Sequence, residues 1–189
     1  MSIIPFYYAL IALWVGSEIW LSLRHRSAAG AKREDQGSLA YLWWTICISI
    51  FAGVFVSYLH LLPFPAALRP ALFLAGMALI VLGLLFRWWS IRVLGRFFTV
   101  DVATGEDQTI IHSGPYRWLR HPSYTGALTS FLGMALCQGD GVSMLVLFVP
   151  VLAAFLHRIR IEERVLAQAF PDNYPAYARD TARLLPGIW

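Results

Sequence analysis

At 189 residues, with 58% apolar side chains, 14% charged ones and a positive mean hydropathy, the chain is far from the roughly 25% charge of a soluble globule. That composition excludes an ordinary water-soluble enzyme, and about five spans of roughly 20 residues use up more than half the length, which leaves no room for a separate soluble catalytic domain. The formal net charge is +4, and the two cysteines, Cys47 and Cys137, sit in apolar runs that offer neither a disulfide framework nor a zinc-ligand spacing.

The first predicted element is a membrane helix from Ile3 to Leu23, broken only by Glu18 and stopped at Arg24, His25 and Arg26. No positive residue precedes it, so it reads as a retained span rather than a signal peptide. Glu18 lies about a turn and a half from Arg24 and is expected to snorkel to the inner interface. A polar loop from Ser27 to Ser38 leads to a second span, Leu39 to Leu59, and Pro63 and Pro65 then break helical continuity. The third span covers Ala67 to Trp88 and continues to Gly95. From Arg96 to Gly114 the chain is polar, the kind of interruption in which function concentrates. A fourth span runs from Pro122 to Gln138, Gly139-Asp140-Gly141 makes a hairpin, and a fifth runs from Val142 to His157. Arg158 to Trp189 is too charged for hydrocarbon and reads as a helical extension plus a tail. The expected fold class is all-α, a single polytopic membrane domain over 1–189 with about five transmembrane helices. No internal repeat supports a transporter built from duplicated halves.

Topology follows from the basic residues. With these spans, Arg69 alone of the 15 Lys and Arg residues falls on the side of the N-terminus, and the other 14 lie opposite. The N-terminus is therefore expected outside and the C-terminus in the cytoplasm. The pairs Trp43-Trp44 and Trp88-Trp89 fall near the inner ends of their spans, where interfacial anchoring accounts for them.

Two inner-side segments carry the chemistry. In the first, Gln108 to Gly126, Gly114-Pro115 forms a turn and Pro122 suits the first turn of a helix, which puts His121 at the helix mouth beside Tyr116 and Tyr124. Backbone N–H groups there would hold polar groups of a ligand at the membrane surface, although an interfacial anchor of arginines and aromatics fits the same residues. In the second, Arg158 and Glu162 share one helix face and Arg160 and Arg164 another. A solvated salt-bridged face explains the spacing, but an ion pair at bilayer depth is costly unless it meets a partner or lines a polar cavity. His25, His60, His112 and His157 have no metal-ligand grouping around them, and no metal is expected.

The run Gly114-Pro-Tyr-Arg-Trp-Leu-Arg-His-Pro-Ser-Tyr-Thr-Gly126, followed by Glu162-Glu163-x-x-Leu166, resembles the isoprenylcysteine carboxyl methyltransferase family. The likeness covers Phe98 to Pro186. It implies a membrane-embedded enzyme that uses S-adenosylmethionine, yields S-adenosylhomocysteine and encloses the cofactor in its C-terminal half, and this sequence carries no Gly-x-Gly-x-x-Gly nucleotide fingerprint. Residues 1–95 would then supply three transmembrane helices and 96–189 the cofactor-binding half. Carried over by position, the resemblance implies that Gln108, Thr109, Ile110, Ile111, Tyr116, His121, Pro122, Ser123 and Tyr124 line the cofactor site and that Glu162 completes it. Arg158 matches the family's arginine beside the methyl acceptor. Asp101 stands where family members carry a glutamine, a departure at that contact, and the segment Phe170 to Tyr177 resembles the family's closing tail.

The implied reaction is displacement at a sulfonium methyl. A carboxylate acceptor is already ionised at neutral pH and needs positioning more than a base. Arg158 would orient it by a two-pronged contact, whereas an amine or thiol acceptor would make Glu162 or Glu163 a candidate base. The acceptor is expected to be lipophilic, a small lipid or a prenylated substrate, with membrane lipids as neighbours and no nucleic acid among the partners. The membrane would be the plasma membrane of a prokaryote or the endoplasmic reticulum of a eukaryote. A phospholipid or lipid-amine N-methyltransferase, a membrane reductase of related helical plan and a non-enzymatic assembly protein are the other readings.

Overall fold

A computed structural model describes residues 3–24, 37–95, 98 and 109–187, together with the backbone of 32–33 and 103–104. The helices are α1 (Ile4–Arg24), α2 (Ser38–Ser57), α3 (Arg69–Leu94), α4 (Pro122–Cys137), α5 (Gly141–Ala169) and α6 (Tyr174–Asp180). A two-residue antiparallel pairing, β1 (Lys32–Arg33) with β2 (Ala103–Thr104), ties the α1–α2 connection to the segment that follows α3. The all-helical expectation holds. Four helices, α1, α2, α3 and α5, are long and apolar enough to cross a membrane. The fifth, α4, has 16 residues, or about 24 Å, and is the shortest of the long helices.

The helical extension expected beyond His157 is present as a direct continuation of α5. α5 continues unbroken for 29 residues from Gly141 to Ala169, so Arg158 and Glu162 ride on the same helix as the core residues Leu147 and Val151. Asp140 starts that helix by accepting hydrogen bonds from the N–H of Ser143 (2.9 Å) and of Leu62 (2.7 Å), which also pins the α2–α3 turn to the α4–α5 hairpin.

Two helix pairs make the bundle. In the α3–α4 pair, glycines face one another: a Cβ on Gly76 would lie 2.6 Å from the carbonyl oxygen of Gly133, and one on Gly126 would lie 2.6 Å from that of Gly83. Only bare backbone permits this approach, and packing of this kind holds helices together where lipid removes the hydrophobic drive. The α2–α5 pair uses Gly53, whose carbonyl accepts from the Ser143 hydroxyl at 2.7 Å. Between the pairs lies a core of Trp14, Ile80, Phe131, Leu147, Val151 and Phe155. Outward faces carry exposed Leu13, Phe51, Phe55, Leu82 and Leu85, as helices surrounded by acyl chains should.

Candidate active site

The polar end of the bundle is built where α4 begins. Gly114 takes a left-handed φ of 56° and opens a short 3-10 turn, Gly114–Arg117; a Cβ there would also press on Val93. The turn buries Tyr116, and Pro122 then occupies the first turn of α4 with His121 as its N-cap. His121 is 4% exposed, and its ring stacks on that of Tyr124 at 5.5 Å.

From α5, Arg158 reaches into this end and is almost wholly buried. Its Nε donates to the Tyr124 hydroxyl at 3.1 Å, which in turn donates to Glu162 Oε2 at 2.8 Å. Its Nη1 donates to the Ser38 hydroxyl at 2.9 Å, so the first residue of α2 helps fix the guanidinium. The neighbouring glutamates part company. Glu163 accepts from Arg120 Nε at 2.7 Å and from Arg183 Nε at 2.8 Å, with His121 Nε2 at 3.4 Å. Arg120 also donates to the carbonyls of Ala178 and Thr181, and the N–H groups of Arg120 and His121 donate to the carbonyls of Ala182 and Arg183. The tail is thereby strapped across the Arg120-His121 motif.

A cavity of about 350 Å³ runs through the site. Its polar end is lined by Thr109, Ile110, Ile111, Tyr116, Arg120, His121, Ser123, Tyr124, Arg158, Glu162, Tyr174 and Tyr177. Its apolar arm extends between α1, α2, α4 and α5 along Trp14, Leu42, Ile46, Ile50, Phe131, Met134 and Phe155. Among the described residues, two buried side-chain polar atoms lack a hydrogen-bond partner, His121 Nε2 and the Tyr174 hydroxyl. Both residues line the polar end. Burial pushes the phenols of Tyr174 and Tyr116 up, with nearby Glu163 and Glu162 adding to the effect, and burial raises Tyr177 to about 12. All three remain protonated donors at neutral pH. A second, outer cavity of about 520 Å³ adjoins this end, lined by His112, Arg117, Asn173, Asp180 and others, and it shares Thr109, Ile110, Phe170 and Tyr177 with the first.

Thus the structure brings Thr109, Ile110, Ile111, Tyr116, His121, Ser123, Tyr124, Arg158 and Glu162 to one cavity. Pro122 is buried but outside the lining, where it sets the start of α4. Gln108 and Asp101 lie outside the described residues. Glu163 is committed to the arginine clamp and is not a lining residue. Arg160 and Arg164 are exposed, the solvated face their spacing suggests. Glu18 corrects the sequence reading. It does not snorkel outward but turns into the bundle and pairs with Arg87, Oε1 to Nε at 2.7 Å and Oε2 to Nη2 at 2.8 Å, because a buried partner lies closer than water. Ser38, Arg87, Tyr174 and Tyr177 are the residues that sequence reasoning missed. The i, i+3 spacing of the two tyrosines on α6 was a legible signal for a shared face, whereas nothing local marks Ser38.

The phospholipid methyltransferase family pattern matches residues 71–173, over half of the chain. The chain belongs to that family. Protein-S-isoprenylcysteine O-methyltransferase B of Arabidopsis thaliana is 33% identical over 115 residues, covering 60% of this chain and 58% of the relative. The protein-S-isoprenylcysteine O-methyltransferase of Saccharomyces cerevisiae is 30% identical over 115 residues, 60% of this chain and 48% of the relative. The chain therefore spans about half of the length of such curated relatives. Among solved structures, the eukaryotic intramembrane Ras methyltransferase ICMT (isoprenylcysteine carboxyl methyltransferase) aligns with a TM-score of 0.58 at 24% identity, over 77% of this chain and 52% of that one, and so shares its fold. With four helices of span length and the fold of an intramembrane protein, the chain is an integral membrane protein. The family match covers nearly all of α3 and the whole of α4 and α5, and it leaves Glu18, Ser38 and Tyr174 outside.

Proposed function

We propose that this protein transfers a methyl group from S-adenosylmethionine to the carboxylate of a lipophilic acceptor, an isoprenylcysteine-like lipid or prenylated chain, at the cytoplasmic membrane face. The observation that carries the reading is the cavity: a polar end holding a buried arginine and the unpartnered hydroxyl of Tyr174 opens into an apolar arm. A polar cofactor and an apolar acceptor need those two environments in contact.

The residues fit the cofactor. The Tyr174 hydroxyl is buried without a hydrogen-bond partner, and His121 Nε2 has only the 3.4 Å approach to Glu163, a cost that a hydrogen-bonding ligand removes. Thr109, Ile110, Ile111, Tyr116, Ser123, Tyr124 and Glu162 complete the wall, with Gln108 assigned by its place in the sequence and Pro122 acting through the backbone. When bound, S-adenosylmethionine supplies a methyl group activated by a positively charged sulfur. The chain's own work is to place the acceptor: the Arg158 guanidinium, fixed by Tyr124 and Ser38, attracts a carboxylate and holds it without needing a base. Helix walls exclude water from the nucleophile. The distribution of Lys and Arg puts this end in the cytoplasm, and residues 96–189 form the cofactor-binding half while helices of 1–95 wall the apolar arm.

The family's description favours a second reading, N-methylation of a phospholipid amine. A cationic amine beside buried Arg158 would be repelled, which favours the carboxylate. Calorimetry of S-adenosylhomocysteine binding to the detergent-purified protein, followed by methyl transfer to N-acetyl-S-farnesylcysteine or to phosphatidylethanolamine vesicles, tests both. Absence of binding by folded protein overturns the methyltransferase reading; label in the phospholipid alone selects the amine.

A further inference from the structure

Trp118 and Leu185 are 53% and 52% exposed, yet both belong to a strip of chain that is firmly tied down. Two segments run side by side in it. Ala182 donates its N–H to the carbonyl of Trp118 at 3.0 Å, and Arg120 and His121 donate theirs to the carbonyls of Ala182 and Arg183 at 2.8 and 3.1 Å. Thr125 Oγ1 adds a bond to the Leu184 carbonyl at 2.7 Å. Leu184 packs against the bundle core, while its neighbour Leu185 is exposed.

The register of the bundle fixes the depth of this strip. Gly76 meets Gly133 and Gly83 meets Gly126, so α3 and α4 run antiparallel, and the start of α4 at Pro122 stands level with the Arg87–Ile91 turn of α3. Trp118 precedes that start, and the turn at Gly114 rests on Val93. The apolar run of α3 ends at Arg87-Trp88-Trp89, which puts the strip at the edge of the hydrocarbon, among lipid headgroups. An exposed tryptophan and leucine at that level meet lipid rather than bulk water.

Charge narrows the lipid. Neither 114–121 nor 181–187 contains an acidic residue. Glu163 is shared between Arg120 and Arg183, so the strip keeps a net positive charge. Arg117 is exposed, with its guanidinium 5.0 Å over the Trp118 ring. Asp180, which shares the outer cavity with Arg117, is preceded by the cationic Arg179. Arg92, in the last turn of α3, is exposed as well. An aromatic ring beneath a cation suits a phospholipid of net negative charge better than a zwitterionic one, whose own cation would face the arginines.

We propose that this strip docks the closing tail on anionic phospholipids of the surrounding leaflet, with Trp118 and Leu185 at the acyl boundary and Arg117 against a lipid phosphate, and that the contact holds the strap shut. Arg120 and His121, to which the strap is bonded, line the polar end of the cavity, so the composition of the leaflet governs how often that end opens. On the function proposed above, the same contact slows release of the cofactor product, but its test needs neither cofactor nor turnover.

The test is amide hydrogen exchange of the full chain in nanodiscs of phosphatidylcholine, alone or mixed with phosphatidylglycerol. Mass spectrometry follows the peptides that carry Arg120, His121 and Ala182, whose N–H groups close the strap. Exchange there is expected to be about fivefold slower with phosphatidylglycerol, and the difference to shrink at high salt. In Arg117→Gln the two lipids should agree to within about twofold, with exchange in phosphatidylcholine alone unchanged from wild type. In Trp118→Ser/Leu185→Ser the difference should vanish likewise, and unaltered exchange around Leu147 and Val151 shows that the bundle is folded. Equal exchange of the wild type in both lipids, a slowing that survives in the folded variants, or one reproduced by soluble glycerol phosphate added to phosphatidylcholine discs overturns the proposal. Slowed exchange in a protein that binds no S-adenosylhomocysteine leaves this docking surface standing and removes the methyltransferase reading instead.

Discussion

Glu162 and Glu163 are adjacent in sequence and opposite in duty. Glu162 touches Tyr124 and the cavity, whereas Glu163 holds Arg120 and Arg183 and through them the tail. Glu163→Gln would leave two arginines under-paired, and a loss of about 3 kcal/mol of stability is expected, read by thermal unfolding in detergent. Glu162→Gln should leave that unfolding temperature nearly unchanged while weakening ligand binding. Tyr174 gives the converse case. Its hydroxyl has no protein partner, so Tyr174→Phe should not lower the stability of the free protein, yet should weaken S-adenosylhomocysteine binding about fivefold, measured by calorimetry. A merely structural tyrosine would show the reverse pattern. The motif residues His121, Tyr124, Arg158 and Glu162 were legible from their spacing and resemblance. Glu18 was visible as a misplaced charge, but its partner Arg87 lies 69 residues away, and no local pattern reports a contact at that range.

The helices succeed or fail by how they meet. The start of α2 supplies Ser38 to Arg158, and Ser38→Ala should lower turnover about tenfold with little change in acceptor KM, because the guanidinium loses orientation rather than charge; Ser38→Thr should restore most of it. The α3–α4 contact depends on bare glycines. Gly126→Ala would place a Cβ 2.6 Å from the Gly83 carbonyl oxygen and 2.7 Å from the Arg87 nitrogen, and a destabilisation of about 1–3 kcal/mol is expected in an unfolding assay. At the hairpin, hydrogen bonds from the N–H groups of Ser143 and Leu62 hold the Asp140 carboxyl below its ordinary range. Because the folded-state value is depressed, its contribution is complete above about pH 4 and is lost as the pH falls further. Asp140→Asn should flatten that part of a stability profile measured in acid. Helix positions were readable from apolar length alone. The run of α5 past His157 was readable as a helical extension, because Arg158 and Glu162 stand four residues apart on one face.

At the level of the whole molecule, the residues inside the family match supply most of the polar end, and α1 and α2, which lie outside it, supply much of the apolar arm. The division explains why acceptor preference is hard to read from a family match: the residues that meet the lipid need only be apolar and correctly placed. The walls shared by the inner and outer cavities, Thr109, Ile110, Phe170 and Tyr177, stand at the end opposite the arm. Two reactants approaching from opposite ends do not obstruct one another, so on the proposed function neither has to bind first. In steady-state kinetics S-adenosylhomocysteine should then compete with S-adenosylmethionine alone, and a non-reactive lipid should compete with the acceptor alone. The enzyme would be free to wait with either half of its reaction already in hand.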